Sequence, residues 1–406
     1  MAAAARFQDL DYLPGSVGDT LRLIRTGASA SRSELARVSG LAPSTVSLRV
    51  DTLIRLGLIG EVGDEDSRGG RRARRLELVT GTGFVAALDV GASHVSMALA
   101  DASGAVLAMR QLPAVLDQDA EASIDWLWQT LDGMIRDDGR TSEELLGIAI
   151  GFPAPVEYPS GRLVLPSFMP SWHNAVIPAY FAKFTQVPVL VENDANLVAL
   201  AERSEEHSNR DQLLAVKLGT RIGCGIISAG RLHRGVGGAA GEISHTAVSG
   251  VSTISCTCGI PNCLESVASG GAIAARLAQQ GYQVGSAADV VALGQSADPR
   301  VTNILREAGT HIGEVLSAIV NFMNPRDVVL AGSMSAVAPL VAAIRAQLFQ
   351  RCLPLVTEHL EVRASRSPGD AAIRGATQLI LEEVFAPARV ESLARALTGE
   401  AAQARA

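Results

Sequence analysis

The sequence has few aromatic residues and no long apolar run. Aromatic residues make up 4% of its 406 residues. No apolar stretch approaches the roughly 20 residues that a membrane helix needs, so the sequence predicts no membrane partner. Asp9 and Asp11 interrupt the small, alanine-rich start before a secretory apolar core can form. We therefore expect a cytoplasmic protein.

Cysteine is also scarce, and its distribution argues against a disulfide framework. The chain has 5 cysteines, an odd number, and three of them (Cys256, Cys258 and Cys263) lie in one short segment. Thiols clustered in this way are typical of metal ligation in a reducing compartment.

Lysine is absent from residues 1–80, although this part is rich in arginine. It holds 12 Arg against 10 Asp and Glu, a net charge of +2. Since the whole chain has a net charge of −7, the remaining residues have a net charge of −9. Five arginines fall within the eight residues from Arg68 to Arg75. A basic segment on an acidic protein indicates nucleic-acid binding at one end only, although a solvated linker has the same composition.

Three helical segments are predicted before residue 57. Ser31 or Ser33 is available as an N-cap, Gly27 and Gly40 are stop signals, and Pro43 suits a first turn. Two helices joined by a short glycine-containing turn are typical of a helix-turn-helix. The predicted inward-facing residues are Val17, Leu21, Ile24, Leu35, Val38, Val46, Val50 and Leu53.

The arginine-rich segment lies between two predicted strands, as in the wing of a winged helix. A generic three-helix unit would show the same helical spacing but would not explain this basic hairpin. The predicted contacts with the major groove are Ser44, Thr45, Ser47 and Arg49, and those with phosphates or the minor groove are Arg68, Arg71 and Arg72.

From Phe84 onward a pattern of three strands, a helix and a strand occurs, and its main elements recur from Gln212. Each half begins with two apolar strands joined by a short turn of small residues. The periodicity predicts two matching α/β halves.

The segment from Gly241 to Gly270 contains His245 followed by Cys-x-Cys-x4-Cys at Cys256, Cys258 and Cys263. One imidazole and three thiolates form a closed tetrahedral zinc site, which predicts structural Zn²⁺. The segment resembles the signature of the ROK family (repressors, open reading frames and kinases). The resemblance extends from the helix-turn-helix to about Phe385.

The resemblance implies an α/β two-lobed actin-like or sugar-kinase (ribonuclease H-like) fold, preceded by an α+β winged helix-turn-helix domain. The expected divisions are a DNA-binding domain at 1–80, a small lobe at 81–194, a large lobe with the zinc loop at 195–385, and a tail at 386–406. The C-terminal helix of the large lobe is expected to pack back on the small lobe.

The resemblance also implies a sugar site between the lobes. Asp194 would be the general base in the kinases of the family, and the second nitrogen of His245 would meet a sugar hydroxyl. Ser167 and Ser171 depart from the family pattern in a further segment, so the identity of the sugar stays open. The implied sugar-binding residues are Asn193, Asp194, Glu242, His245 and Glu265.

Two phosphate loops of the kinases are altered here. Ala92 replaces a glycine in the first loop, after Asp89 and Gly91, and Arg221 replaces the middle glycine of the second, between Gly219 and Gly223. The Cβ of Ala92 would crowd the approach of phosphate to backbone N–H groups modestly, whereas the Arg221 side chain would occupy volume meant for phosphate. We therefore expect degenerate nucleotide loops, no ATP or Mg²⁺, and no catalytic residues.

These observations predict a sugar-responsive regulator, a repressor of carbohydrate-metabolism genes, in which a sugar or sugar derivative controls binding to double-stranded operator DNA. A palindromic operator and a homodimer or homotetramer are expected because such motifs read two-fold sites. One alternative is an ATP-dependent sugar kinase with Asp194 as base. Another is a zinc-stabilised scaffold without a ligand.

Overall fold

The structure is a computed structural model. It describes residues 15–27, 29–64, 74–91, 94–113, 119–164, 169–204, 211–251, 253–296, 298–367 and 369–403. Among these residues, no helix is both long enough and apolar enough to cross a membrane.

The N-terminal unit consists of three helices followed by an antiparallel strand pair. Ser31 caps the second helix and Gly40 ends it in the left-handed region, with φ of 69°. This confirms the predicted winged helix-turn-helix pattern. The elements are α1 Val17–Arg25, α2 Arg32–Ser39, α3 Pro43–Arg55, β1 Ile59–Asp64 and β2 Arg74–Leu78.

The core of this unit comes mostly from the predicted inward-facing residues. Leu21, Val46, Val50 and Leu53 are buried. The prediction for Val38 is wrong, because its side chain is 44% exposed. Leu35 is the buried residue of α2, and Val38 lies outside the face of the helix that Leu35 buries.

The first half of the long domain is built on a mixed sheet. Its strand order is β5-β4-β3-β6-β9, antiparallel across β5, β4 and β3 and parallel across β3, β6 and β9. The elements are β3 Phe84–Val90, β4 His94–Asp101, β5 Val106–Pro113, α4 Ala120–Asp137, β6 Leu145–Phe152, β7 Val156–Glu157, β8 Arg162–Leu163, α5 Ile177–Phe181, β9 Val189–Asn193 and α6 Asp194–Ser204.

The second half repeats this topology. Its sheet order, β12-β11-β10-β13-β14, has the same antiparallel and parallel pairings, which confirms the predicted duplication. The elements are β10 Gln212–Leu218, β11 Ile222–Ser228, β12 Arg231–Leu232, α7 Leu264–Ala268, α8 Gly270–Gln279, α9 Ala287–Gly294, α10 Pro299–Met323, β13 Asp327–Ala331, α11 Ala338–Arg351, α12 Pro354–Thr357, β14 Glu361–Ala364, α13 Ala371–Val384 and α14 Pro387–Gln403.

Helices α6 and α13 lie between the two sheets. Helix α13 packs on β3 and β6 of the first sheet, α6 packs on β10 and β11 of the second, and the two helices pack against each other. Helix α14 packs on α1, where the Val17 N–H donates to Glu391 Oε2 at 3.1 Å. The described part of the C-terminal tail is therefore helical and contacts the N-terminal unit.

Candidate functional site

A pocket between the two halves collects polar side chains from both. All five implied sugar-binding residues line it, which no single segment of the sequence could show. The lining residues are Pro153, Ala154, Pro155, Asn193, Asp194, Lys217, Arg221, Ile222, Gly223, Glu242, Ser244, His245 and Glu265.

Asn193 and Asp194 lie where β9 ends and α6 begins. Asn193 Oδ1 accepts from the N–H of Ala195 at 3.0 Å, and Asn193 Nδ2 donates to the carbonyl of Ala154 at 3.1 Å. These contacts fix the amide at the start of α6, because its oxygen satisfies a backbone donor of the first helical turn.

Asp194 is paired with Lys217, a residue that sequence reasoning missed. The ammonium Nζ lies 2.5 Å from Asp194 Oδ2, and the Asp194 side chain is only 6% exposed. Burial lowers the pKa of Lys217, but the charges of Asp194 and Asp89 outweigh it and raise that pKa overall. A charged residue within the apolar strand sequence of β10 was the signal that could have identified it.

Glu242 and Glu265 form the acidic side of the pocket. Burial raises the pKa of both carboxyl groups. Glu265 Oε2 accepts from the N–H of Ile222 at 2.9 Å, and its Oε1 lies 3.4 Å from Arg221 Nη1. The Arg221 guanidinium therefore lies against a predicted sugar-binding carboxylate.

His245 connects the pocket to the cysteine cluster. Its Nδ1 lies 3.7 Å from Cys256 Sγ, so Nε2 lies on the opposite edge of a ring that lines the pocket. Burial, followed by the charge of Arg221, lowers the pKa of His245 and favours the neutral ring that metals bind.

The cluster has the composition of a structural zinc site. One potential ligand atom from each of His245, Cys256, Cys258 and Cys263 lies within 4.8 Å of all the others. Burial and the neighbouring thiols raise the pKa of Cys263 to about 12. A divalent cation would remove this cost by stabilising the thiolates, and the donor set therefore fits Zn²⁺.

Two backbone hydrogen bonds hold the second altered phosphate loop, one within the loop and one from the start of α8. The Gly219 N–H donates to the carbonyl of Arg221 at 3.0 Å, and the Gly270 N–H donates to the carbonyl of Gly219 at 2.9 Å. An added Cβ on Gly223 would lie 2.9 Å from the Ala195 Cβ. This glycine thus allows β11 to approach α6, a packing role that needs no phosphate.

The first altered loop is only partly described. Asp89 and Gly91 lie at its start, and the Gly91 N–H donates to the carbonyl of His94 at 2.8 Å. Ala92 lies outside the described residues. Burial raises the pKa of Asp89, and its Oδ1 is buried without a hydrogen-bond partner among the described residues.

Some of the predicted DNA-binding residues lie within the described part of the chain and some do not. Ser44 is exposed on α3, and Thr45 and Ser47 are partly exposed. Arg49 is also partly exposed, but its Nη1 is buried, and an added Cβ on Gly15 would lie 3.2 Å from that nitrogen. The residues Arg68, Arg71 and Arg72 lie outside the described residues, as does Ser167.

Sequence reasoning also missed Leu48. Its side chain is 64% exposed on α3, four residues after Ser44 and therefore on the same face of the helix. A large apolar side chain exposed on a recognition helix was identifiable from the helical spacing.

Comparisons with known proteins agree with this architecture. A protein-family model described as the ROK family matches residues 85–383 of the sequence. A second family model, described as winged helix-turn-helix DNA-binding, matches residues 19–59. A solved ROK family transcriptional regulator, described as a homolog of the E. coli MLC protein, has a TM-score of 0.78 and 24% identity. The alignment covers 93% of this chain and 98% of that one.

Three curated relatives show the range of similar proteins. The xylose repressor of Bacillus spizizenii is 28% identical, over 89% of this chain and 94% of its own length. The DNA-binding transcriptional dual regulator NagC of Escherichia coli is 30% identical, over 85% and 88%. A glucokinase of Halalkalibacterium halodurans is 27% identical, over 73% and 94%.

Proposed function

Because the chain belongs to the ROK family, we propose that it is a sugar-responsive, DNA-binding transcriptional repressor of carbohydrate-metabolism genes. One observation carries the proposal. The five residues Asn193, Asp194, Glu242, His245 and Glu265 line one pocket of a chain that also has a winged helix-turn-helix. We propose that a sugar in this pocket controls binding to operator DNA. Because the operator DNA lies in the cytoplasm, we also propose that the protein acts there.

We propose that the pocket recognises hydroxyl groups. Carboxylates accept hydrogen bonds from hydroxyls, the Asn193 amide offers both a donor and an acceptor, and His245 offers Nε2. Zinc bound to His245 and the three cysteines would fix the orientation of this ring, which is a structural role.

The charges of the pocket favour an uncharged sugar over a phosphorylated one. Lys217 is paired with Asp194, Arg221 lies against Glu265, and Glu242 adds a further carboxyl group. The carboxylates would repel a phosphate group, and the pocket lysine, Lys217, is already paired with Asp194.

We propose that kinase activity is lost and that Asp194 accepts a hydrogen bond from a sugar hydroxyl. The alternative, an ATP-dependent sugar kinase with Asp194 as base, is favoured by the glucokinase relative. Against it, Arg221 replaces a loop glycine and the Gly219 N–H is bonded within its own loop. ADP formation that requires both sugar and ATP, and that D194A abolishes, would establish the kinase.

We propose the domain division 1–80, 81–194 and 195–385, with the tail from 386 attached to the DNA-binding unit. A homodimer or homotetramer that reads a palindromic operator follows from the two-fold symmetry of sites bound by such motifs.

The decisive experiment is fluorescence anisotropy of the protein on its own upstream DNA, without ATP. The panel contains xylose, glucose, N-acetylglucosamine and glucose 6-phosphate. We expect salt-dependent binding that one neutral sugar weakens by about 5- to 150-fold, the usual range of allosteric coupling. Binding without sequence preference under every condition would refute the proposal.

A matched variant locates the effector site. The substitution E242Q keeps the size of a pocket side chain but replaces the carboxyl group with an amide. We expect E242Q to bind operator DNA normally and to respond to sugar only at higher concentration. The control E307Q alters a carboxylate of the surface pair between Arg276 and Glu307 and leaves the response unchanged.

A further inference from the structure

Arg234 joins the two halves of the long domain from outside the pocket. It belongs to the second half, directly after β12, and its Nε donates to Glu192 Oε2 on β9 of the first half at 2.6 Å. Its guanidinium carbon also lies 3.9 Å from the centre of the Tyr158 ring, which follows β7 of the first half. Neither the arginine nor the glutamate lines the pocket. The arginine therefore acts on a bound sugar only through other residues.

Glu192 supports the first half of the predicted sugar site. Its side chain is only 1% exposed, and its Oε1 accepts from the Asn193 N–H and from Asn196 Nδ2, each at 2.8 Å. Asn193 itself lines the pocket. Because a buried carboxylate is costly without a charged partner, the contact with Arg234 stabilises the residue on which this arrangement depends.

The main chain of Arg234 anchors the segment that leads from β12 to Glu242 in the second half of the site. The carbonyl of Arg234 accepts from the Ala240 N–H at 3.1 Å. Within this segment, Gly238 packs directly on the first half, because an added Cβ would lie 2.0 Å from the carbonyl oxygen of Val156. A shift of the segment would therefore move Glu242 relative to the first half.

We propose that Arg234 is a positioning residue that sets the separation between Asn193 and Glu242, the predicted sugar-binding residues of the two halves. Its side chain is attached to Glu192, which adjoins Asn193, and its main chain holds the segment that ends at Glu242. The proposal rests on the proposed sugar site and names a residue that fixes its width. A preorganised site binds more tightly, because less free energy is spent on bringing its groups into place.

Removing the guanidinium should weaken sugar binding although no side chain that lines the pocket is changed. The probe is whichever of xylose, glucose and N-acetylglucosamine the wild type binds, measured by calorimetry without DNA or ATP. We expect R234M to bind this sugar at least about tenfold more weakly. R234K keeps a cation for Glu192 but loses the planar contact with Tyr158, so its affinity should lie between those of R234M and the wild type.

A double variant keeps the proposal testable if R234M does not fold, because R234M leaves a buried carboxylate without its cation. E192Q/R234M removes both charges, while an amide oxygen can still accept from the Asn193 N–H and from Asn196. It should show the same loss of sugar affinity. Unchanged affinity in E192Q/R234M would refute the proposal even if R234M binds weakly, because the loss would then come from the unpaired charge.

A second buried ion pair provides the matched control. Arg363 Nη2 lies 2.8 Å from Glu202 Oε2, and this glutamate side chain is also 1% exposed. R363M and E202Q/R363M should lose stability but keep sugar affinity within about threefold of wild type, because neither residue holds the two sugar-binding segments. An equal loss of affinity in these controls would mean that general destabilisation explains the effect, and the proposal would be wrong.

A measurement without sugar separates this proposal from the proposed function. In E192Q/R234M the Ala240 N–H should exchange with solvent deuterium at least about tenfold faster than in the wild type, because its segment has lost an attachment to the first half. It should exchange at the wild-type rate in E202Q/R363M. Unchanged exchange in E192Q/R234M would overturn the proposal even if no sugar of the panel binds. Faster exchange without any sugar binding would instead contradict the proposed sugar site.

Discussion

Cys258 is the exposed member of the thiol cluster, while Cys263 is buried and Cys256 lies between these extremes. Replacing Cys258 by serine therefore changes the metal site with little direct effect on packing. The two buried thiols outside the cluster, Cys224 and Cys352, provide controls for the chemistry of the substitution.

We expect C258S to lose bound zinc and to bind the effector sugar at least about tenfold more weakly, because His245 is then no longer held by the metal. Zinc content by elemental analysis and sugar affinity by calorimetry test this. The control C352S should keep its zinc. Full sugar affinity in zinc-free C258S would contradict a positioning role for the metal.

Leu48 is an exposed apolar residue on α3, the helix that carries the predicted major-groove contacts. Its exposed side chain shares a face of α3 with Ser44, and apolar side chains at such positions contact the methyl group of thymine.

We expect L48A to weaken operator binding by about 1–3 kcal/mol, the usual value of one base contact, and to leave binding to scrambled DNA unchanged. Anisotropy on the two DNAs measures both effects. The control L355A removes a leucine that is 75% exposed on α12, and it should change neither. Equal losses on both DNAs would show that Leu48 does not read sequence.

Helices α6 and α13 approach closely because glycine leaves room between them. An added Cβ on Gly375 of α13 would lie 1.9 Å from the carbonyl oxygen of Leu197 on α6. Gly133 of α4 is the opposite case, with no atom within 4 Å of an added Cβ.

We expect G375A to destabilise the protein by more than about 2 kcal/mol, because backbone would have to move in a packed interface. We expect G133A to be neutral or to stabilise by about 0.5–1 kcal/mol, because alanine favours a helix. Urea unfolding of both variants tests this pair. A mild effect of G375A would mean that the two helices separate easily.

The elements of this fold were largely readable from local pattern. Val46, Val50 and Leu53 follow helical spacing and are buried, and the hairpins from Phe84 and Gln212 were predicted. Val38 shows the limit of this reasoning, because spacing gives the inward face of a helix but not how much of it a neighbour covers.

The pocket was predictable only in its list of residues. A resemblance supplied Asn193 and Glu265, but their proximity depends on how two sheets face each other. Lys217 was missed because its partner Asp194 lies on another element, and a single sequence does not show which carboxylate a lysine meets. The contact between Val17 and Glu391 joins residues 374 positions apart, which local patterns cannot reveal.

A continuous set of contacts links the pocket to the DNA-binding unit. Helix α6 begins at Asp194 in the pocket and ends beside Arg203, which donates to Glu382 Oε1 of α13 and to the carbonyl of Gly230, each at 2.7 Å. Helix α13 leads directly into α14, which packs on α1 of the DNA-binding unit.

The packing of α14 on α1 is close. Gly18 lies so close to Pro387 that an added Cβ would be 2.3 Å from its Cα. If sugar displaced α6 or α13, as the proposed function requires, these packed helices would connect that displacement to α1.

We expect R203A to separate the two activities of the proposed regulator. Sugar affinity and operator affinity should each stay within about threefold of wild type. In the wild type, sugar should change operator affinity by about 5- to 150-fold, and in R203A it should change it hardly at all. The control R276A breaks a surface pair with Glu307 and should respond normally. Anisotropy titrations with and without sugar measure this coupling. A full sugar response in R203A would place the route elsewhere, most directly through the contact of α14 with α1, where E391A is the corresponding test.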